Sequence, residues 1–136
     1  MEQIYSLIDP QVLCHQVIRL QDIVDRQDVS SENQFLQLAT LRMNSGRTFR
    51  AHQHIWKPAP VGDVIAQESW VVISGQVQVM FYDTDGALLK TVVLNPGDAS
   101  MTFQGGHNYL ILKDDTVVYE YKTGPYQGQA LDKVFL

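Results

Sequence analysis

Hydrophobic residues follow two regimes along the chain. In the first, Leu13, Val17, Leu20 and Val24 recur at three- and four-residue spacing, a stripe that predicts an amphipathic α-helix. Asp9 stands where it can cap that helix, and Pro10 where a first-turn proline is tolerated. Residues 25–33 are polar and read as a loop, so residues 1–33 are expected to form an N-terminal α-helix and loop.

From residue 34 the pattern shortens. Segments 35–43, 48–56, 64–74, 76–82, 88–94, 100–103, 107–112 and 116–121 are short and rich in strand-forming residues. Turn signals separate them: Asn44-Ser45-Gly46, Lys57-Pro58-Ala59-Pro60, Gly75, Asp85-Gly86, Asn95-Pro96-Gly97-Asp98 and Asp114-Asp115. Asp85-Gly86 in particular is a hairpin signal. Short strands joined by such turns predict an antiparallel all-β barrel or sandwich rather than a parallel sheet. Residues 34–136 are therefore expected to form a barrel with a C-terminal tail. The tail, 124–136, is expected to be irregular and to pack on the outside. The whole reads as one domain, which suits 136 residues.

Composition narrows the function classes. The hydrophobic fraction of 45% and charged fraction of 18% are those of a folded globular chain, not a disordered one. Apolar runs such as Val71-Val72-Ile73 are far too short to span a bilayer. Met1-Glu2-Gln3-Ile4 shows no basic region followed by an apolar stretch, so no secretory signal is read there. Cys14 is the only cysteine, which leaves no intrachain disulfide. A cytoplasmic protein is expected. The formal net charge is −5 and the basic residues are scattered, with Arg42, Arg47 and Arg50 the nearest approach to a cluster, so a nucleic-acid-binding face is not expected.

Chemistry concentrates on the histidines. His15 falls on the expected helix without a partner and is read as structural or exposed. His52 and His54 stand two apart on an expected strand, so their side chains share a face and two imidazoles can chelate one ion. Gly46 precedes His52 by five intervening residues. Glu68 lies further on, followed by six residues and Gly75. Pro96-Gly97-Asp98 and later His107 come after the hairpin.

This constellation resembles the cupin superfamily, RmlC-like proteins built as a double-stranded β-helix or jelly roll. Gly46, His52, His54, Glu68 and Gly75 match its first motif; Gly97 and His107 match the ends of its second. The resemblance implies one divalent metal held by His52, His54, Glu68 and His107, and that mixed imidazole–carboxylate set suits Fe, Mn, Ni, Co or Zn. The end of the chain is similar to the WbuC family of cupin-fold metalloproteins, in which a third His and a final strand are followed by Glu-x-Lys-x-Gly-Pro-Tyr. Here that is Glu120-Tyr121-Lys122-Thr123-Gly124-Pro125-Tyr126. The likeness covers about residues 35–135. WbuC-like genes often stand beside surface-polysaccharide genes. The chain departs from the superfamily pattern in one large way: residues 55–67 separate His54 from Glu68, where three or four residues are usual. A wider turn can absorb them, since doubling a loop costs only about 0.6 kcal/mol. His107 also follows Gly105-Gly106 at a spacing one residue shorter than usual.

Trp56, Trp70, Phe81 and Phe103 are read as core. Tyr109 and Ile111 share strand parity with His107 and are expected to face the interior beside it. Tyr109 is thus the candidate catalytic acid–base group or hydrogen-bond donor, against the reading of a packed tyrosine. Functionally, the resemblance points to a metal-dependent protein acting on or binding a small polar molecule, such as a sugar or sugar nucleotide. The alternatives are a non-catalytic ligand- or metal-binding module, a dioxygenase, or a metal-free sugar isomerase or epimerase using His as base. Cupins commonly dimerise through sheet edges and exchanged terminal segments, so a homodimer is expected.

Overall fold

The computed structural model describes residues 1–58 and 62–136. Its strands are β1 (Glu2–Tyr5), β2 (Leu13–Val17), β3 (Gln27–Asp28), β4 (Leu36–Met43), β5 (His52–His54), β6 (Trp56–Lys57), β7 (Val64–Ile65), β8 (Glu68–Ser74), β9 (Val77–Tyr82), β10 (Leu88–Leu94), β11 (Ala99–Thr102), β12 (Gly106–Ile111), β13 (Thr116–Thr123) and β14 (Lys133–Phe135). A single turn of helix, α1 (Gln129–Asp132), precedes β14. Two five-stranded sheets carry the architecture, in the orders β10-β9-β12-β5-β14 and β11-β8-β13-β4-β3. All their pairings are antiparallel, as the hairpin signals require. The expected barrel takes the form of two separate sheets rather than one continuous closed ladder.

Period-two alternation decides which side chains enter the space between the sheets. From one sheet come Ala39, Leu41 and Met43 of β4, Trp70 and Val72 of β8, and Val118 of β13; from the other come Val77 and Val79 of β9, Leu94 of β10, and Tyr109 and Ile111 of β12. These form one buried cluster, with Phe49, Phe81 and Val92 packed against it. Gly75 makes the step from β8 in one sheet to β9 in the other. Its φ is 81°, and a Cβ there would overlap Thr116.

The expected N-terminal helix does not form. β1 and β2 pair with each other instead, from Glu2↔Val17 to Tyr5↔Leu13. Two physical reasons stand out. Ser6 Oγ accepts from the backbone of Ile8 and Asp9, and Asp9 Oδ1 accepts from Gln11, so the polar residues close a turn rather than cap a helix. The 3.6-residue stripe also has nothing to pack on: Leu13, Leu20 and Val24 stay exposed, and a helix draws most of its stability from burying such a face. Ile23, in contrast, is buried, and its carbonyl accepts from Arg42 Nε at 2.6 Å.

The tail differs from expectation too. It is not irregular throughout, because β14 adds to the sheet edge beside β5, pairing Lys133↔His54 and Phe135↔His52. Trp56 and Phe103, read as core, are exposed, whereas Trp70 is buried. Among the described residues no helix is long and apolar enough to cross a membrane.

Candidate metal centre

Three strands from two sheets assemble the site. β5 supplies His52 and His54, and Gln53 between them points the other way. β12 lies directly beside β5, with His107 opposite His52. Glu68 opens β8 in the facing sheet and shares its inward parity with Trp70 and Val72. All four residues are buried, and one donor atom from each lies within 4.8 Å of the others.

The long 55–67 segment does not displace Glu68. It folds into a small hairpin of its own, β6 against β7, pairing Trp56↔Ile65 and Lys57↔Val64. The chain then returns so that Glu68 Oε2 is 3.3 Å from His54 Nε2 and Oε1 is 3.1 Å from His107 Nε2. The middle of the expected turn, residues 59–61, lies outside the described residues. The short Gly105-Gly106 approach to His107 is accommodated as well: Gly105 has φ 81°, and a Cβ there would run into the Tyr82 carbonyl.

Each imidazole is held from behind. His52 Nδ1 lies 3.1 Å from the Arg50 carbonyl, His54 Nδ1 3.3 Å from the Asp132 carbonyl, and His107 Nδ1 2.9 Å from Thr102 Oγ1. A carbonyl can only accept, so Nδ1 of His52 and His54 carries the proton and each Nε2 presents a lone pair. All three Nε2 atoms face the space that Glu68 also faces. Among the described residues His52 Nε2 and His107 Nε2 are buried with no aligned hydrogen-bond partner; the His107–Glu68 approach is short but not directed as a hydrogen bond. Buried nitrogens are seldom left so. Three Nε2 atoms and a carboxylate converging on one point form a donor set that fits a transition-metal cation, with outer partners fixing each ring.

Burial and neighbouring charge act on the cluster's residues in different directions. Burial pushes the His52 pKa down to about 4, so this ring is neutral and available at neutral pH. Burial works against charge on His54, but the carboxylates of Asp132 and Glu68 outweigh it and raise its pKa. Burial likewise opposes ionisation of Glu68, yet the imidazoles of His107 and His54 hold its carboxyl well below the usual range. The anionic oxygen donor is therefore already in place.

Sequence reasoning missed the support behind His54. Asp132 of α1 is 1% exposed; Oδ2 lies 3.1 Å from His54 Nδ1, and Oδ1 accepts from Lys57 Nζ at 3.0 Å. Nothing around Asp132 in the sequence marks it, because the contact depends on the tail folding back on β5. Tyr109 faces inward as its parity requires. Its ring stacks on Trp70 at 3.8 Å between centroids, and its hydroxyl is 3.2 Å from Ser100 Oγ. Burial raises its pKa, which keeps the hydroxyl protonated. His15 is exposed on β2, whose two-stranded sheet is neither of the two that build the site. A cavity of about 330 Å³ opens onto His52, Glu68 and Tyr109.

Solved structures share this architecture. The chain resembles KdgF from Halomonas sp. at 20% identity and a TM-score of 0.56, over 75% of this chain and 78% of that one. It resembles a cupin-2 domain containing protein from Shewanella frigidimarina at 15% identity and a TM-score of 0.54, over 79% and 95%. CapF, a capsular polysaccharide assembling protein from Staphylococcus aureus, gives a TM-score of 0.66 at 16% identity; 88% of this chain is covered, and it spans about a third of CapF (34%). The fold is that of the cupins. No protein-family model matches the sequence, and no curated protein does.

Proposed function

We propose that this chain is a metal-dependent cupin that binds, and acts on, a small polar molecule at one divalent transition metal held by His52, His54, Glu68 and His107. The observation that carries this reading is the convergence of three Nε2 atoms and one carboxylate, with every Nδ1 turned outward to a partner. A metal there supplies Lewis acidity toward a carbonyl or hydroxyl. The chain's own residues orient the rings, hold Glu68 anionic and, through the Tyr109 hydroxyl, offer a protonated donor at the cavity wall.

A sugar or sugar nucleotide is the substrate class we favour. Two likenesses support it: the WbuC-like Gly-Pro-Tyr segment with its polysaccharide gene context, and CapF, which is a capsular polysaccharide assembling protein. We expect action in the cytoplasm without a nucleic-acid partner, consistent with the net charge of −5. We also expect a homodimer. The β1–β2 hairpin leaves Leu7 and Ile8 fully exposed at 101% and 97%, and an isolated two-strand hairpin is at best marginally stable in water. Packing that hairpin on a second copy removes both problems.

Elemental analysis of protein purified without added metal tests the central claim. About one equivalent of Fe, Mn, Ni, Co or Zn per chain is expected, and near zero for His52→Ala. Retention of the metal by His52→Ala rejects the ligand set. Metal-loaded protein that binds sugar nucleotides without converting them is a binding module.

A further inference from the structure

The cavity in front of the metal centre is electrically lopsided. On β13, Lys122 stands directly across from Glu68; on β14, Lys133 stands directly across from His54. Directly paired residues on antiparallel strands leave the sheet on the same face, so each lysine emerges beside a metal-binding side chain, and both line the cavity. Asp132, next to Lys133 along the chain, is a carboxylate within ion-pair range of Lys122. It is already 3.0 Å from Lys57 Nζ and 3.1 Å from His54 Nδ1, and stands 3.5 Å from Lys122 Nζ. Among the described residues Lys133 has no carboxylate partner within ion-pair distance. One acid thus serves two lysines and an imidazole, and a third lysine has none.

Further along the same sheet the balance reverses. There Arg26 is shared between Glu120 at 2.9 Å and Asp28 at 3.0 Å, and Glu32 is exposed at the rim. Asp28 and Glu32 lie in water, which screens them. Lys122 is held in a drier place, its side chain 14% exposed and its ammonium 4.5 Å from the centre of the Tyr126 ring. Beside the cluster Glu68 lies across from Lys122 and Asp132 is shared by Lys57 and Lys122, which leaves Lys133 as the cation without a carboxylate partner among the described residues, and a volume of about 330 Å³ leaves room for a monosaccharide-sized body to supply one.

We propose that Lys122 and Lys133 form an anion subsite beside the His52/Glu68 floor, and that the cavity takes a small polar ligand carrying an acidic oxygen group, carboxylate or phosphate. This rests on the metal-centre reading and specifies the ligand class for it.

Calorimetric titration of the Mn²⁺-loaded chain with sorbitol, gluconate and glucose 6-phosphate tests it, with metal content measured before and after. At least one anion is expected to bind about tenfold more tightly than sorbitol, the magnitude of one desolvated charge contact. Preference for gluconate assigns a carboxylate, and preference for glucose 6-phosphate a phosphate. Lys133→Gln is expected to abolish the preference while keeping the metal, and Lys133→Arg to retain it. Equal binding of all three probes, binding of none, or a preference untouched by Lys133→Gln overturns the subsite. If the chain takes up none of Mn, Fe, Ni, Co or Zn, the metal reading fails instead. The same titrations on metal-free protein then decide the subsite alone: a Lys133-dependent anion preference upholds it, and its absence overturns it.

Discussion

The space between the two sheets has a polar end and an apolar end, and the same strands build both. Along β8 the inward positions read Glu68, Trp70, Val72; along β12 they read His107, Tyr109, Ile111. Each two-residue step moves from a residue of the candidate metal cluster to aromatic to aliphatic. The backbone does the same thing throughout, so strand geometry alone does not separate the ends. Side-chain chemistry does. At the apolar end burial itself stabilises, at roughly 25 cal/mol per Å². At the polar end burial costs, and the cost is offset only because every ring nitrogen and carboxylate oxygen faces a partner or a common point. The stacked Trp70–Tyr109 pair is the partition between the two.

The largest expected effect breaks the partition. Trp70 is 2% exposed, stacks on Tyr109, meets Phe49 edge-on, and donates Nε1–H to Glu120 Oε2 at 3.1 Å. Trp70→Ala should cost about 3–5 kcal/mol of stability in a denaturant melt. The polar end should respond in the opposite manner. Glu68→Gln removes an anionic donor from a cluster whose histidines also lean on it, so metal content should fall to a small fraction. The metal-free variant should unfold within about 1–2 kcal/mol of the metal-free wild type, because a neutral amide keeps the volume. A large loss of apo stability in Glu68→Gln, or retained metal, would mean that the two ends are not divided as described.

How much of this was readable beforehand follows from the same division. Strands 88–94, 76–82 and 116–121 were legible because period-two alternation and turn residues are local, and so was the inward parity of His107, Tyr109 and Ile111. The gathering of His52, His54, Glu68 and His107 was legible because a motif fixed their order, even though the 55–67 excursion obscured the spacing to Glu68. The N-terminal stripe of Leu13, Val17, Leu20 and Val24 misled because periodicity records only where apolar residues fall, not whether a surface exists to bury them. Asp132 and Lys57 were invisible for a related reason. Their roles arise from contacts between segments 75 residues apart along the chain, which no local pattern encodes.

A third expectation sharpens the polar end. Asp132 touches no metal donor atom, yet its carboxylate sits behind His54 Nδ1. Asp132→Asn keeps the shape and removes the charge, so metal should still bind, weakened about 10–100-fold in a competition titration with a chelator. An unchanged affinity would make Asp132 a partner of the lysines, Lys57 and Lys122, rather than of the cluster. The buried Lys57 then loses its counter-charge, and Lys57→Met in the same background should recover stability without recovering affinity.

The smallest expected effect asks to which end the partition itself belongs. Tyr109 contacts both: its ring stacks on Trp70, and His107 lies 5.3 Å away between centroids. Among the described residues its hydroxyl hydrogen-bonds only Ser100 Oγ, at 3.2 Å. Tyr109→Phe preserves the stack and removes one buried hydrogen bond, leaving Ser100 Oγ to find another partner. Stability should fall by about 0.5–1.5 kcal/mol. Metal content should not change, because His107 is oriented through Nδ1 by Thr102 and not by Tyr109. If metal affinity drops nonetheless, the tyrosine ring is part of what positions His107, and the boundary between the ends lies one residue further along β12. If metal and fold both hold while binding of a polar ligand in the cavity weakens, the hydroxyl is a donor to the ligand, which its raised pKa suits it to be across the neutral range.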